Sequence, residues 1–264
     1  MNWIRGFTNP ANSAGTRDLE DAPMPMRQEL IDLFFSLSEH SHEVPPEHVY
    51  RATAQSLGIQ ASGMPYGGFR YASGRDVRGV DWPRIYDLIG RLWRDFERYG
   101  YGRQFRDGTN RILAAYGVAW ELDEDGRLSR VLPAAAQAQV SSAFAELQNA
   151  RFAPALELFN AGRNAYDDRP RRDRDACTNI FDSLESVAKE KHAMPTATYG
   201  QVVAHIRQNN LMNPETVGLL GSLNDLRNRN FGHGMIAPFA LTGAEVDFAY
   251  LACIGAILSI VRTP

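Results

Sequence analysis

Two guanidiniums, two carboxamides and one imidazole fall within a short run, Arg227-Asn228-Arg229-Asn230-Phe231-Gly232-His233. An imidazole that titrates near neutrality is the usual general acid or base, and an arginine fork is the usual clamp for a phosphate. Together they can move a proton and stabilise charge growing on a phosphoryl group without a metal ion. The same side chains have a plainer use. Arginine and histidine at a helix C-terminus favour the helix dipole and bond its last free carbonyls. Spacing alone leaves both uses open.

Positioning that run falls to the segment before it. Asn213-Pro214-Glu215 has the form of a helix start, with Asn213 as side-chain cap and Pro214 where a missing N–H costs nothing. Val217, Leu220, Leu223 and Leu226 recur at helical spacing and predict one apolar face. Gly232 and Gly234 are the expected stop, because glycine tolerates the left-handed conformation of a helix terminus. The polar residues therefore belong to one helix end.

The chain around this helix reads as mainly helical. Residues 1 to 22 are polar and turn-rich, an arm packed by Trp3, Ile4 and Phe7. Helices are predicted over Pro25 to Ser38 and from Pro45-Pro46-Glu47 to residue 57, and the glycine- and aromatic-rich stretch Gly58 to Gly79 reads as an extended loop. It carries neither GxGxxG nor GK[ST], the signatures of a phosphate cradle. Asp81-Trp82-Pro83 starts an amphipathic helix with Ile85, Leu88, Ile89, Leu92 and Phe96 inward, and Arg84, Arg91, Arg94 and Arg98 on its surface, read as a solvated face ahead of an RNA contact. A short helix from Thr109 to Tyr116 leads to two extended runs, Val118 to Leu122 and Arg127 to Val131, around Asp123-Glu124-Asp125-Gly126, which is a β-hairpin signal.

Pro133 marks a boundary between a domain at 1–132 and a helical one at 133–264. Beyond it, helix-favouring segments run from Ala134 to Gln148, Arg151 to Tyr166, Asp173 to His192, Tyr199 to Gln208 and 214 to 230, and an almost wholly apolar helix closes the chain from Glu245 to Arg262. These predict a bundle of four or five helices. On the helix from Asp173, Ala176, Ile180, Leu184 and Val187 make the apolar stripe, and Glu185 sits four residues before Lys189. Glu185 is read either as half of that surface pair or as support for an active-site arginine.

With 44% hydrophobic and 22% charged residues and a net charge of -3, the composition is that of an ordinary soluble protein and carries no global signature of a nucleic-acid binder. Lys189 and Lys191 are the lysines; every other basic residue is arginine, the better bidentate phosphate ligand, but a GC-rich coding sequence gives the same bias and is the weightier reading. Cys177 and Cys253 lack CxxC spacing and read as reduced, buried hydrophobes. Glu39-His40-Ser41-His42-Glu43 lacks the further ligands of a metal site, so neither metal nor cofactor is expected. The start of the chain has no signal-peptide run and the apolar run from Phe248 to Val261 is short for a membrane span, so a cytoplasmic location without membrane contact is expected.

The C-terminal half resembles the HEPN superfamily, small helical bundles found in many prokaryotic toxin and antiviral ribonucleases. The resemblance rests on Arg227-Asn228 followed by His233-Gly234 at a helix end, on the preceding helix Ile180-Phe181-Asp182-Ser183-Leu184-Glu185-Ser186-Val187-Ala188-Lys189, and on the final apolar helix. In the form Leu226-Arg227-Asn228 to His233-Gly234 it is similar to the C-terminal domains of abortive infection proteins. The N-terminal half resembles the accessory domain of AbiJ-type proteins, through Asn110-Arg111-Ile112-Leu113 leading into the hairpin.

The resemblance implies a metal-independent endoribonuclease of an abortive infection or toxin–antitoxin system. His233 would serve as general acid or base, Arg227 would stabilise the phosphorane, and Asn228 would orient Arg227 or bond a phosphate oxygen. Arg229 and Asn230 would hold substrate, with Glu185 in support. The implied partners are RNA, a second copy that completes a composite site through the C-terminal bundle, and an antitoxin or regulatory protein. A HEPN module that binds nucleotide or RNA without cutting, or serves as a partner scaffold, is the alternative.

Overall fold

The computed structural model describes residues 21–61, 68–231 and 239–263. The arm residues Trp3, Ile4 and Phe7, the expected helix stop Gly232 and Gly234, and the imidazole of His233 lie outside the described residues. The chain is mainly helical and divides into two compact units, Met1–Val131 and Leu132–Pro264.

In the first unit, helices α1 (Met24–Glu39), α2 (Pro46–Leu57), α3 (Phe69–Asp76), α4 (Trp82–Arg98) and α5 (Gly102–Ala115) precede a hairpin of β1 (Trp120–Leu122) and β2 (Leu128–Arg130). Phe34 of α1, Phe96 of α4 and Phe105 of α5 stack in its centre, with ring centroids 5.0 and 5.3 Å apart. Each such buried side chain contributes about 1.5–3 kcal/mol relative to an exposed one. Gly126, at φ 75°, makes the hairpin turn predicted from Asp-Gly, and Trp120 pairs with Arg130 in the antiparallel register. Asn110 accounts for its own place in the sequence. Its amide donates to the Leu122 carbonyl (2.9 Å) and its oxygen accepts from the Leu122 N–H (2.8 Å), so it closes the open edge of β1.

Two expectations for this unit are corrected. Residues 69–79 are not an extended loop: they form α3 and a 3-10 turn, Val77–Gly79. Burial of Phe69, Ala72 and Val77 outweighs the poor helix propensity of the glycines among them. Helix α5 begins at Gly102, seven residues before the predicted start at Thr109 (109 − 102). Gly108 belongs there because a Cβ would lie 2.8 Å from Leu33 of α1, so the low-propensity residue is the one that lets two helices approach. The α4 arginines do lie on its surface, Arg84, Arg94 and Arg98 being exposed, and two of them also tie α4 to the end of α2: Arg84 donates to the Leu57 carbonyl (2.5 Å) and Arg91 to Gln55.

The second unit holds six helices among the described residues, one more than the upper expectation of five. They are α6 (Ala134–Leu147), α7 (Ala153–Tyr166), α8 (Asp173–Lys191), α9 (Tyr199–Gln208), α10 (Pro214–Asn230) and α11 (Gly243–Arg262). Helix α8 is central and packs chiefly on α7 and α11, with Ala176, Cys177, Ile180, Phe181, Leu184 and Val187 all buried. The crossing of α7 and α8 is close because Gly162 faces the Ile180 backbone, where a Cβ would lie 3.0 Å from the amide nitrogen. At the same crossing the Ser183 hydroxyl donates to the Ala155 carbonyl (2.8 Å). Cys177 and Cys253 are free and buried, and burial pushes the Cys177 thiol up to about 12.

Helix α11 opens with a reciprocal cap. The Thr242 hydroxyl accepts from the Glu245 N–H (3.4 Å) and the Glu245 carboxylate accepts from the Thr242 N–H (2.8 Å). By length and composition α11 could cross a membrane, and half of its most apolar window is buried within the unit.

Candidate active site

Helix α10 places the polar run as the sequence predicts. The Asn213 side chain accepts from the Glu215 N–H (2.9 Å), Pro214 occupies the first turn, and Val217, Leu220 and Leu223 are buried with Leu226 packed at the edge of the core. A buried apolar face fixes the rotation of a helix about its axis, and so decides which way the last turn points. The helix ends at Asn230, and the anchor of that end is Phe231. It is buried at 3% exposure, its ring meets Phe181 edge-on at 6.4 Å, and its carbonyl accepts from the Thr178 hydroxyl at 3.4 Å.

Arg227 is held against α8 without being used up by it. Its guanidinium lies over the ring of Phe181, 5.3 Å from the centroid, a cation–π contact worth about 0.5–1 kcal/mol. Asp182 approaches at 3.7 Å and Asn228 Oδ1 at 3.4 Å, both too long for a strong charge-assisted hydrogen bond. Nε is buried and has no hydrogen-bond partner among the described residues. The fork is thus fixed in place by ring stacking and loose electrostatics, and among the described residues its terminal nitrogens meet only the long contacts to Asp182 and Asn228.

The other predicted site residues divide. Asn228 and Arg229 are exposed at the same helix end, and Asn228 Oδ1 accepts from Arg227 at 3.4 Å. Asn230 turns back on its own helix, its amide donating to the Leu226 carbonyl at 2.9 Å, so one of its donors is committed to ending α10. Among the described residues Glu185 makes the surface pair that the sequence offers and no contact with Arg227. Its carboxylate pairs with Lys189 at 2.7 Å, one helical turn along α8, and the carboxylate beside Arg227 is Asp182. His233, two positions beyond Phe231 in the chain, lies outside the described residues.

Sequence reasoning misses the α8 half of this site: Thr178, Phe181 and Asp182. Their spacing of i, i+3 and i+4 marks one helix face, but nothing in the sequence says which face meets α10. Phe231 carries a usable signal, as the one large apolar residue among the polar ones. No protein-family model, curated protein or solved structure matches the chain.

Proposed function

We propose that this protein is a metal-independent endoribonuclease of the abortive infection or toxin–antitoxin kind, with its site at the end of α10. The observation that carries the reading is the state of Arg227: a guanidinium stacked on Phe181, touched by Asn228, with a buried Nε that no described residue satisfies. A phosphate is the ligand such a fork fits best. His233 follows closely in sequence and is the group able to move a proton near neutral pH.

The chemistry follows from those two groups. The substrate 2′-oxygen attacks the adjacent phosphorus as its proton passes to a base, and charge gathers on the non-bridging oxygens of the phosphorane. Arg227 donates to those oxygens, which is where stabilisation lowers the barrier most. The bond to the 5′-oxygen then breaks and that oxygen takes up a proton, leaving a 2′,3′-cyclic phosphate and a 5′-hydroxyl. His233 serves as either the base or the acid. Arg229, exposed on the last turn of α10, holds the neighbouring backbone phosphate. A second copy of the chain, associated through the helical bundle, supplies the complementary histidine, and an antitoxin or regulatory protein restrains the activity in the cytoplasm.

One observation favours a second reading, a module that binds RNA or nucleotide without cutting. Asp182 sits beside Arg227, and a carboxylate there opposes the build-up of negative charge. Purified protein and its His233→Ala variant, incubated with RNA in EDTA with the product ends analysed, separate the two. Cyclic-phosphate ends from wild type alone are expected. Retained cutting by His233→Ala would remove the catalytic role, and RNA binding without cutting by either protein would favour the second reading.

A further inference from the structure

Beside α3, in the first unit, lies an open concavity of about 330 Å³ that the ribonuclease reading does not use. Its wall is one stripe of α3 and the turn that continues it. Tyr71, Gly74, Arg75 and Arg78 follow at i, i+3, i+4 and i+7, and Arg70 with Gln28 and Asp32 of α1 closes the other side. Three arginines and one aspartate thus line it, with Asp76 bonded to Arg75 and Glu39 4.0 Å from Arg70. Tyr71 is 75% exposed, among the most exposed large apolar side chains described, with its ring free on the rim.

The arginines are placed rather than loosely scattered. Arg75 is drawn down by Asp76, whose carboxylate is 8% exposed and 2.8 Å away, yet only one edge of its fork is engaged. Arg70 donates to Asp32 at 2.8 Å through Nε. Arg78 is exposed and has no ion pair among the described residues. Beneath the stripe, Arg27 is 8% exposed and donates to the carbonyls of Val77 (2.8 Å) and Val80 (2.6 Å), which pins the turn that carries Arg78. Its buried charge meets carbonyls and no carboxylate among the described residues, so it adds to a positive local field. Gly74 lies at the floor, where a Cβ would stand 2.8 Å from the Gln28 side-chain oxygen and oblige that side chain to shift.

We propose that this concavity binds a nucleotide, its phosphate held by Arg75 and Arg78 and its base stacked on Tyr71. An exposed aromatic face beside paired guanidiniums is the arrangement that holds a base and its phosphate with little regard to base identity. The volume suits one nucleotide unit. That unit is the same whether it arrives as a free mononucleotide or as one residue of a single-stranded RNA, and the site does not depend on the α10 end being catalytic.

Fluorescence anisotropy or calorimetry with the full chain tests it, using two probes: ATP, and a 2′-O-methyl oligoadenylate of about eight nucleotides, which no 2′-hydroxyl chemistry can cut. Wild type binds at least one probe. Tyr71→Ala weakens that binding about tenfold and Tyr71→Phe leaves it unchanged, since stacking uses the ring and not the hydroxyl. Arg75→Gln with Arg78→Gln weakens it at least as much, while Arg98→Gln, an exposed arginine on α4, does not. ATP binding assigns the free nucleotide as the source, and binding of the oligonucleotide alone assigns RNA. Failure of both probes to bind, unchanged affinity in the Tyr71 and double-arginine variants, or an equal loss in Arg98→Gln would each overturn the proposal. All these positions are exposed, so unchanged thermal unfolding serves as the folding control.

Discussion

Arg171 and Arg227 lie in the same helical unit, each with an aspartate at hand and an aromatic ring below. Arg171 stands over Tyr166 at 5.2 Å, as Arg227 stands over Phe181 at 5.3 Å. There the likeness ends. Arg171 donates to Asp173, to Asp247 at 2.5 Å and to the Gly243 carbonyl at 3.3 Å, and Tyr166 donates to the same Asp247 at 2.8 Å. Burial alone would lower its pKa, but Asp173 and Asp247 outweigh burial and raise it. Its work is to tie the start of α8 to α11. Arg227 has one carboxylate at 3.7 Å and a buried Nε with no described partner. A saturated arginine belongs to the fold, whereas one that the fold orients and leaves unsaturated is available for a ligand.

The largest effect expected from this contrast is on activity. Arg227→Ala should lower RNA cleavage by about a hundredfold or more, the usual loss when one donor to a developing oxyanion is removed. Its stability should fall by about 1 kcal/mol, because a cation–π contact, a loose ion pair and a long hydrogen bond to Asn228 are what go. Cleavage kinetics beside a thermal melt read both. A large fall in stability with cleavage per folded molecule unchanged would place Arg227 with Arg171 and break the comparison.

Arg171→Met should do the reverse. Breaking a buried ion pair costs about 3–5 kcal/mol, but Asp247 is half exposed, so a loss of about 2 kcal/mol is expected. Denaturant unfolding measures it, and cleavage per folded molecule should stay at the wild-type rate. A smaller effect sharpens the role of Asp182. Asp182→Asn removes the negative charge beside Arg227 and should tighten RNA binding a few-fold at low salt, with the gain screened away at high salt. Weaker binding in this variant would mean that Asp182 positions the fork rather than opposing its ligand.

What the sequence can disclose follows from the range of the forces involved. Caps and apolar stripes are local, so Asn213, Pro214 and the Val217 to Leu223 face are enough to place α10 from the sequence alone. The hairpin at Gly126 is legible for the same reason, since two residues fix its turn. Helix α3 and the first half of α5 are not, because their glycines look like breakers until Gln28 and Leu33 are seen pressed against Gly74 and Gly108. The site divides in the same way. Arg227 and Asn228 are visible as a motif on one helix, while Glu185 stands out in place of Asp182 because only the packing of α8 against α10 decides which turn faces the arginine.

His192 guards the comparison against being too simple, since its Nε2 is also buried without a described partner. It sits at the end of α8 with its ring 5.9 Å from that of His205, and among the described residues no arginine–aspartate pair accompanies it. Burial first, then the charges of His205 and Lys191, hold it below the usual histidine range. As pH falls through about 6.5 the unfolded chain therefore binds this proton before the folded one does. The stability that neutral His192 contributes is full above that point and is lost on the way down to the folded value. His192→Phe should flatten this part of the pH dependence and leave RNA cleavage as it was. Thermal melts of both proteins at about pH 7.5 and about pH 5 show it, the wild type losing more of its Tm than the variant. If His192→Phe instead lowered cleavage, an unsatisfied buried donor could no longer be read by its company, and Arg227 would lose its claim to be distinguished by Phe181, Asp182 and Asn228.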